Sequence, residues 1–246
     1  MRVVSLVPSW TETLLRSGVN VVGRTRYCIH PESMIRGIPV VGGTKKAYWD
    51  KIRAIAPDVV ILDREENTLE MARSCPVPFH VSHVEDLADV ERELVQIAAV
   101  VKNEALARVA ERWKKCVTSR VAPRDWQKLP GVVQWLNPLS KPPRQFLYLI
   151  WRDPWMAVGP RTFIASLFRH LGYAGQEVKF GEKYPKIDLG AYSGEDTLLL
   201  FSSEPYPFAQ EIENLKTLGF PAAIVNGESY SWFGIRSLEF LESLGR

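Results

Sequence analysis

The sequence predicts an α/β protein of two similar lobes joined by one long helix, and three observations carry that prediction. Short apolar strand segments alternate with helix-period segments along most of the 246 residues, the pattern of parallel sheets covered by helices. One stretch, from about Val84 to Val121, has helical period and no strand run. Two strand-then-acid elements recur in the same order. Asp58-Val59-Val60-Ile61-Leu62 followed by Glu66 matches Asp196-Thr197-Leu198-Leu199-Leu200 followed by Glu204, 138 residues on; Pro78-Phe79-His80-Val81 matches Pro221-Ala222-Ala223-Ile224, 143 residues on. The boundaries follow: an N-terminal α/β lobe over 1–83, a helical segment over 84–122 and a C-terminal α/β lobe over 123–246.

Val3–Val7 reads as a buried strand stopped at Pro8-Ser9. The spacing of Ser9 and Glu12 predicts a capping box opening the first helix. Strands are predicted at Val21–Gly23, Val40–Val41, Val59–Leu62 and Phe79–Val81. Leu106, Val109, Trp113, Cys116 and Val117 form the stripe of an amphipathic helix, capped by Asn103 and reaching Val121. At 1.5 Å per residue that is a rod of roughly 28 Å. The five prolines from Pro123 to Pro143 predict a loop. Strands resume at Phe146–Trp151, Thr197–Phe201 and Ala222–Val225. Helices are expected at Thr162–Leu171 and Phe208–Leu218, stopped by Gly172 and Gly219, with a closing helix over Trp232–Leu244.

Composition excludes several classes. A net charge of +3, with scattered Lys and Arg, gives no basic patch for nucleic acid. No apolar run approaches the ~20 residues of a membrane span. Three cysteines, Cys28, Cys75 and Cys116, form no CxxC and read as small buried hydrophobes. Met1-Arg2 runs directly into a strand, so as written the chain reads as cytoplasmic, or periplasmic had a signal been removed.

Enzyme motifs are missing: no G-x-S-x-G, no complete phosphate loop, no H-E-x-x-H. Gly42-Gly43-Thr44-Lys45 lacks the first glycine of a phosphate loop. His80 and His83, the one in a strand and the other just past it, read as strand-end and loop histidines rather than a metal site. Eight Trp and eight Tyr stand out instead. Trp10, Tyr27, Tyr48, Trp49, Trp151, Trp155, Tyr206 and Trp232 fall in predicted loops, where α/β sheets gather ligands. Such side chains suit a large planar or amphipathic ligand, with core packing the competing reading. Glu65, Glu66 and Glu204 follow equivalent strands, either as solvated loop acids or as matched docking points for arginines.

R-V-V-S-L-V-P-S-W-T-E-T-L, I-P-V-V-G-G-T-K, P-D-V-V-I-L-D-R-E-E-N, W-R-D-P-W-M-A-V-G, S-S-E-P-Y-P-F and S-W-F-G-I-R together resemble the helical-backbone substrate-binding proteins of ABC importers, the vitamin B12 and iron-siderophore receptors. The motifs span nearly the whole chain and look closest to the cobalamin-binding branch. The resemblance implies two Rossmann-like lobes linked by a rigid backbone helix and a corrinoid held in the cleft between them. It also implies a monomer without intrinsic cofactor, resident metal or catalytic residues. Trp10, Tyr48, Trp49, Trp155 and Trp232 fall in or beside the family's ligand-lining segments. Glu204 and either Glu66 or its neighbour Glu65 fall on the positions that engage arginines of a permease dimer. The missing export signal departs from the family and admits a cytosolic corrinoid salvage or processing protein. Haem or a ferric siderophore is the alternative ligand, and a hydrolase acting through Asp153 or Glu228 the alternative activity.

Overall fold

A computed structural model describes residues 1–118 and 125–245. They form two units, Met1–Thr118 with Trp232–Arg246 and Ser119–Ser231.

The first unit opens with β1 (Arg2–Ser5), α1 (Pro8–Arg16), β2 (Asn20–Arg24), α2 (Glu32–Ile35), β3 (Gly42–Gly43), β4 (Lys46–Ala47), α3 (Trp49–Ile55), β5 (Val59–Asp63), α4 (Leu69–Arg73) and β6 (Phe79–Ser82). Its sheet has the order β2-β1-β5-β6, all parallel. The capping box expected at Ser9 is not formed. Val7 is the cap residue, Pro8 takes the first helical turn, and Ser9 and Glu12 lie buried inside the helix. Proline suits that place because its ring presets the helical φ and its missing N–H is one that the first turn leaves unpaired. The expected strand at Val40–Val41 reduces to a bridge between Arg24 and Val40. Gly42-Gly43-Thr44-Lys45 is strand β3 followed by the two-residue hairpin turn to β4, with Gly42 at φ +154.

The helical segment is a pair, α5 (Leu87–Val101) and α6 (Glu104–Thr118). Asp86 and Asp89 form a capping box on α5. Lys102 adopts the left-handed conformation that ends it, and Asn103 caps α6 through Leu106 N at 2.8 Å. The helices run in opposite directions side by side: Trp113 Nε1 donates to Leu87 O at 2.8 Å, and Lys114 pairs with Glu91. Leu106, Val109 and Trp113 of the expected stripe are buried. Its expected end at Val121 lies outside the described residues.

The second unit contains β7 (Val132–Asn137), β8 (Gln145–Trp151), β9 (Met156–Ala157), α7 (Phe163–Phe168), β10 (Thr197–Ser202), α8 (Ile212–Lys216), β11 (Ala222–Val225) and α9 (Gly227–Ser231). Its sheet has the order β7-β11-β10-β8-β9, with β8, β10 and β11 parallel and both edges antiparallel. β7 overturns the loop expected there: Pro130 and Pro138 bracket the run without interrupting it, and an edge strand tolerates such neighbours. α7 is shorter than expected and passes into a wider turn over Arg169–Tyr173, with Gly172 at φ +92.

The closing helix, α10 (Ile235–Leu244), belongs to the first unit rather than to a C-terminal lobe. It packs on α1 and α6. Ile235 N donates to Thr13 Oγ1 at 3.1 Å, Arg236 grips the buried Glu12 carboxylate at 2.7 and 2.9 Å, and Arg112 grips Glu242. Arg16 pairs with Glu239. The helical pair likewise belongs to the first unit, and the second unit begins at Ser119.

Candidate functional site

In parallel sheets the loops leaving the carboxyl ends of strands converge on one edge, and that edge is where side chains can meet a ligand. In the second unit the loops after β8 and β10 form one cluster. Trp151, 42% exposed, meets Tyr206 edge to face at 5.3 Å. The Arg152 guanidinium lies 5.4 Å from the Trp155 ring centroid and pairs with Glu211, whose second oxygen accepts the Tyr206 hydroxyl. Trp155 stacks on Phe208 with the ring planes 6° apart, so its inner face belongs to the core. Trp151, Trp155 and Tyr206 are thus brought together as one patch, half core and half surface. Arg152 and Glu211 were missed by sequence reasoning, although Arg152 sits inside the W-R-D-P-W segment.

In the first unit Tyr27 and Tyr48 are both exposed. The Arg26 guanidinium lies 4.9 Å from the Tyr27 ring centroid and donates to its hydroxyl at 2.9 Å, and Lys51 lies 5.1 Å from Tyr48. Trp232 is half-buried, meets His30 edge to face at 5.3 Å and carries Arg236 at 5.3 Å. Two expected ligand contacts turn inward. Trp10 is 1% exposed, with its Nε1 donating to Ser82 Oγ at 2.8 Å and its ring against Phe233. That burial is a correction: the Trp10 ring is core, because α1 presents it to β6 and to the returning C-terminal segment. Trp49 packs against the apolar cluster of Leu6, Ile52 and Met71 and donates to Ser74 Oγ at 3.0 Å.

Backbone register aligns the acids of the two sheets more closely than residue spacing does. Val60 N donates to Pro78 O and Arg64 N to Ser82 O; Leu199 N donates to Pro221 O and Ser203 N to Val225 O, all at 2.9 Å. The separation is 139 residues in both cases (60 to 199, 64 to 203). Side-chain facing agrees: Val60 and Leu62 enter one core cluster, Leu199 and Phe201 the other. The 138-residue spacing is one short, and a single step along a strand exchanges its faces. Glu65, not Glu66, is therefore the counterpart of Glu204.

Both acids sit on braced loops. Asp63 Oδ1 accepts Glu65 N at 2.8 Å and Glu66 N at 3.2 Å, its Oδ2 accepts Ser82 Oγ at 2.7 Å, and Lys45 holds Glu65 O at 2.8 Å. Burial pushes the Asp63 carboxyl pKa up, against the pull of those hydrogen bonds. Ser231 Oγ donates to Glu204 Oε1 at 3.1 Å, and Gly227 N donates to Ser203 Oγ at 3.0 Å. A Cβ on Gly227 would overlap Ser202 Oγ and lie 2.8 Å from Glu204 Cγ, so that glycine makes room for the acid.

No protein-family model matches the sequence, and no curated protein matches it. Solved structures do. The periplasmic vitamin B12 binding protein BtuF of Vibrio cholerae is 15% identical over 99% of this chain and 94% of that one, with a TM-score of 0.67. A periplasmic haem-binding protein from Pseudomonas aeruginosa is 17% identical over 99% and 90%, at 0.73. Haem-complexed IsdE of S. aureus is 12% identical over 99% and 96%, at 0.68.

The chain has the fold of these binding proteins. They are of the kind the sequence motifs resemble, and vitamin B12 binding is one branch among several. The cytoplasmic reading finds no support among such periplasmic proteins. No helix among the described residues is long and apolar enough to cross a membrane.

Proposed function

We propose that this chain is a non-enzymatic binding protein for a metal-bearing tetrapyrrole-type macrocycle, a corrinoid in the first reading, which it hands to the permease dimer of an ABC importer. The observation that carries the reading is the pairing of aromatic faces with cations in each unit: Tyr27 with Arg26, Tyr48 with Lys51, Trp155 with Arg152 and Trp232 with Arg236. Flat apolar area beside fixed donors matches a broad macrocycle with a polar rim. At about 25 cal/mol per Å² the apolar contact alone supplies ample driving force before ordering costs. The shared fold with vitamin B12- and haem-binding proteins supports the ligand class. The hydrolase reading rests only on Asp153, exposed between β8 and β9, and Glu228 in α9.

A second reading, haem, draws on Arg26 and Lys51, which can pair with carboxylates, and on Tyr27 and His30, whose side chains are of the kind that ligate haem iron. Absorbance and calorimetric titration with cyanocobalamin and with haemin tests both. Trp151→Ala and Trp232→Ala should each weaken the ligand that binds by about 1–3 kcal/mol. Failure of both macrocycles to bind, or unchanged dissociation constants in both variants, would overturn the proposal. With haemin, Tyr27→Phe should alter the Soret band if the phenol oxygen is on iron.

For docking we propose Glu65 and Glu204, each offering a carboxylate to a permease arginine. Their double substitution by alanine should leave ligand affinity intact and abolish stimulation of the permease's ATPase, whereas Glu66→Ala should retain it. Loss of ligand affinity in the double variant would move the two acids into the ligand site instead.

A further inference from the structure

Sequence order places Glu85 two residues after His83, and folding brings a second carboxylate, Glu65, beside them. β5 and β6 are parallel neighbours, with Asp63 opposite Ser82, so the loops leaving their carboxyl ends emerge side by side. Glu65 comes from the first loop, and His83 and Glu85 from the second. Their ligand atoms all lie within 4.8 Å of one another, with His83 Nε2 3.3 Å from Glu85 Oε1. All three side chains are half-buried.

The backbone that presents them is held at several points. Glu65 is fixed by Asp63 at its N–H and by Lys45 at its carbonyl. His83 N donates to Glu93 Oε1 at 3.2 Å, and its carbonyl accepts Arg92 Nη2 at 3.1 Å. Glu85 N donates to Asp89 Oδ2 at 2.9 Å, so the first turns of α5 anchor both residues of the second loop. A site whose supporting shell is already hydrogen-bonded loses little freedom when an ion enters. His80, by contrast, is engaged with the buried Glu93 and plays no part.

From this convergence we propose that Glu65, His83 and Glu85 bind a first-row divalent transition ion, Zn²⁺ above all, with water completing its coordination. One imidazole and two carboxylates form an N/O donor set that suits such ions; an imidazole disfavours Mg²⁺ and Ca²⁺, and three protein ligands with an open position is a known Zn²⁺ arrangement. The proposal is independent of the macrocycle reading, because every ligand atom and every brace belongs to the first unit; it shares Glu65 with the proposed docking contact, where a bound ion would compete with a permease arginine.

The test is calorimetric titration of the full chain with ZnCl₂ in a Cys75→Ser, Cys116→Ser background, which removes the half-buried thiols as rival ligands. One Zn²⁺ per chain is expected. The affinity should fall at least about tenfold in His83→Ala and in Glu85→Gln, and hold in His170→Ala. Co²⁺ should give visible d–d bands that vanish in His83→Ala. Circular dichroism checks that each variant is folded, and having two independent ligand variants keeps the test decisive if one is not. No saturable binding, or binding that survives both ligand substitutions, overturns the proposal.

Discussion

Asp63 shows how much one side chain can organise. It accepts two backbone N–H groups and a serine hydroxyl while 2% exposed, and it aims the loop that carries Glu65. Asp63→Ala should cost about 1–3 kcal/mol in chemical denaturation, since it strands the two amides of Glu65 and Glu66. Asp63→Asn should cost less, because its amide oxygen can keep the two N–H partners. The carboxyl pKa is raised in the folded state, so the native protein binds that proton more tightly than the unfolded chain does. Its contribution is present at low pH and is lost as pH rises through the raised pKa. The stability gap between wild type and Asp63→Asn should therefore widen as pH falls from about 7 toward 4; a flat difference would contradict the shift. Which aromatics face outward was not legible at this scale. Trp10 and Tyr27 both follow a strand, and only Ser82 and Phe233, remote in sequence, draw the Trp10 ring inward.

Elements were far more legible than residues. β1, β5, β8, β10 and β11 are apolar runs bounded by turn residues, and each lies within a residue or two of its expected place. The errors fall where tertiary contacts override local signals. Ser9 and Glu12 have capping spacing, but Glu12 is the buried partner of Arg236. β7 hides among prolines because its evidence is its partner β11, and the acid equivalence slipped by one residue because spacing does not register hydrogen bonds. α10 depends on Gly234, whose φ is +95 and whose added Cβ would overlap Thr13 Oγ1. Gly234→Ala should lower unfolding free energy by about 1–3 kcal/mol in urea, through backbone strain and the displaced threonine. A neutral result would mean that the helix start re-forms with another cap.

Two similar α/β halves were readable from the repeated strand-then-acid elements, whereas the allegiance of the last fifteen residues was not. Trp232–Arg246 joins the first unit through Thr13, Glu12, Arg112 and Arg16, contacts that no local pattern encodes. Removing residues 232–246 should accelerate amide hydrogen exchange in α1 and α6 while leaving β10 and β11 protected. Uniform loss of protection in both units would show that they unfold as one cooperative body.

The second unit is thus an uninterrupted stretch set inside a discontinuous one, and that has a consequence on the ribosome. The amino-terminal half is translated first yet lacks its last helix until the whole second unit has been made, so the later-made half can finish folding ahead of it. Domains usually fold in order of synthesis; here force-sensitive arrest reporters should register the insert maturing before its host.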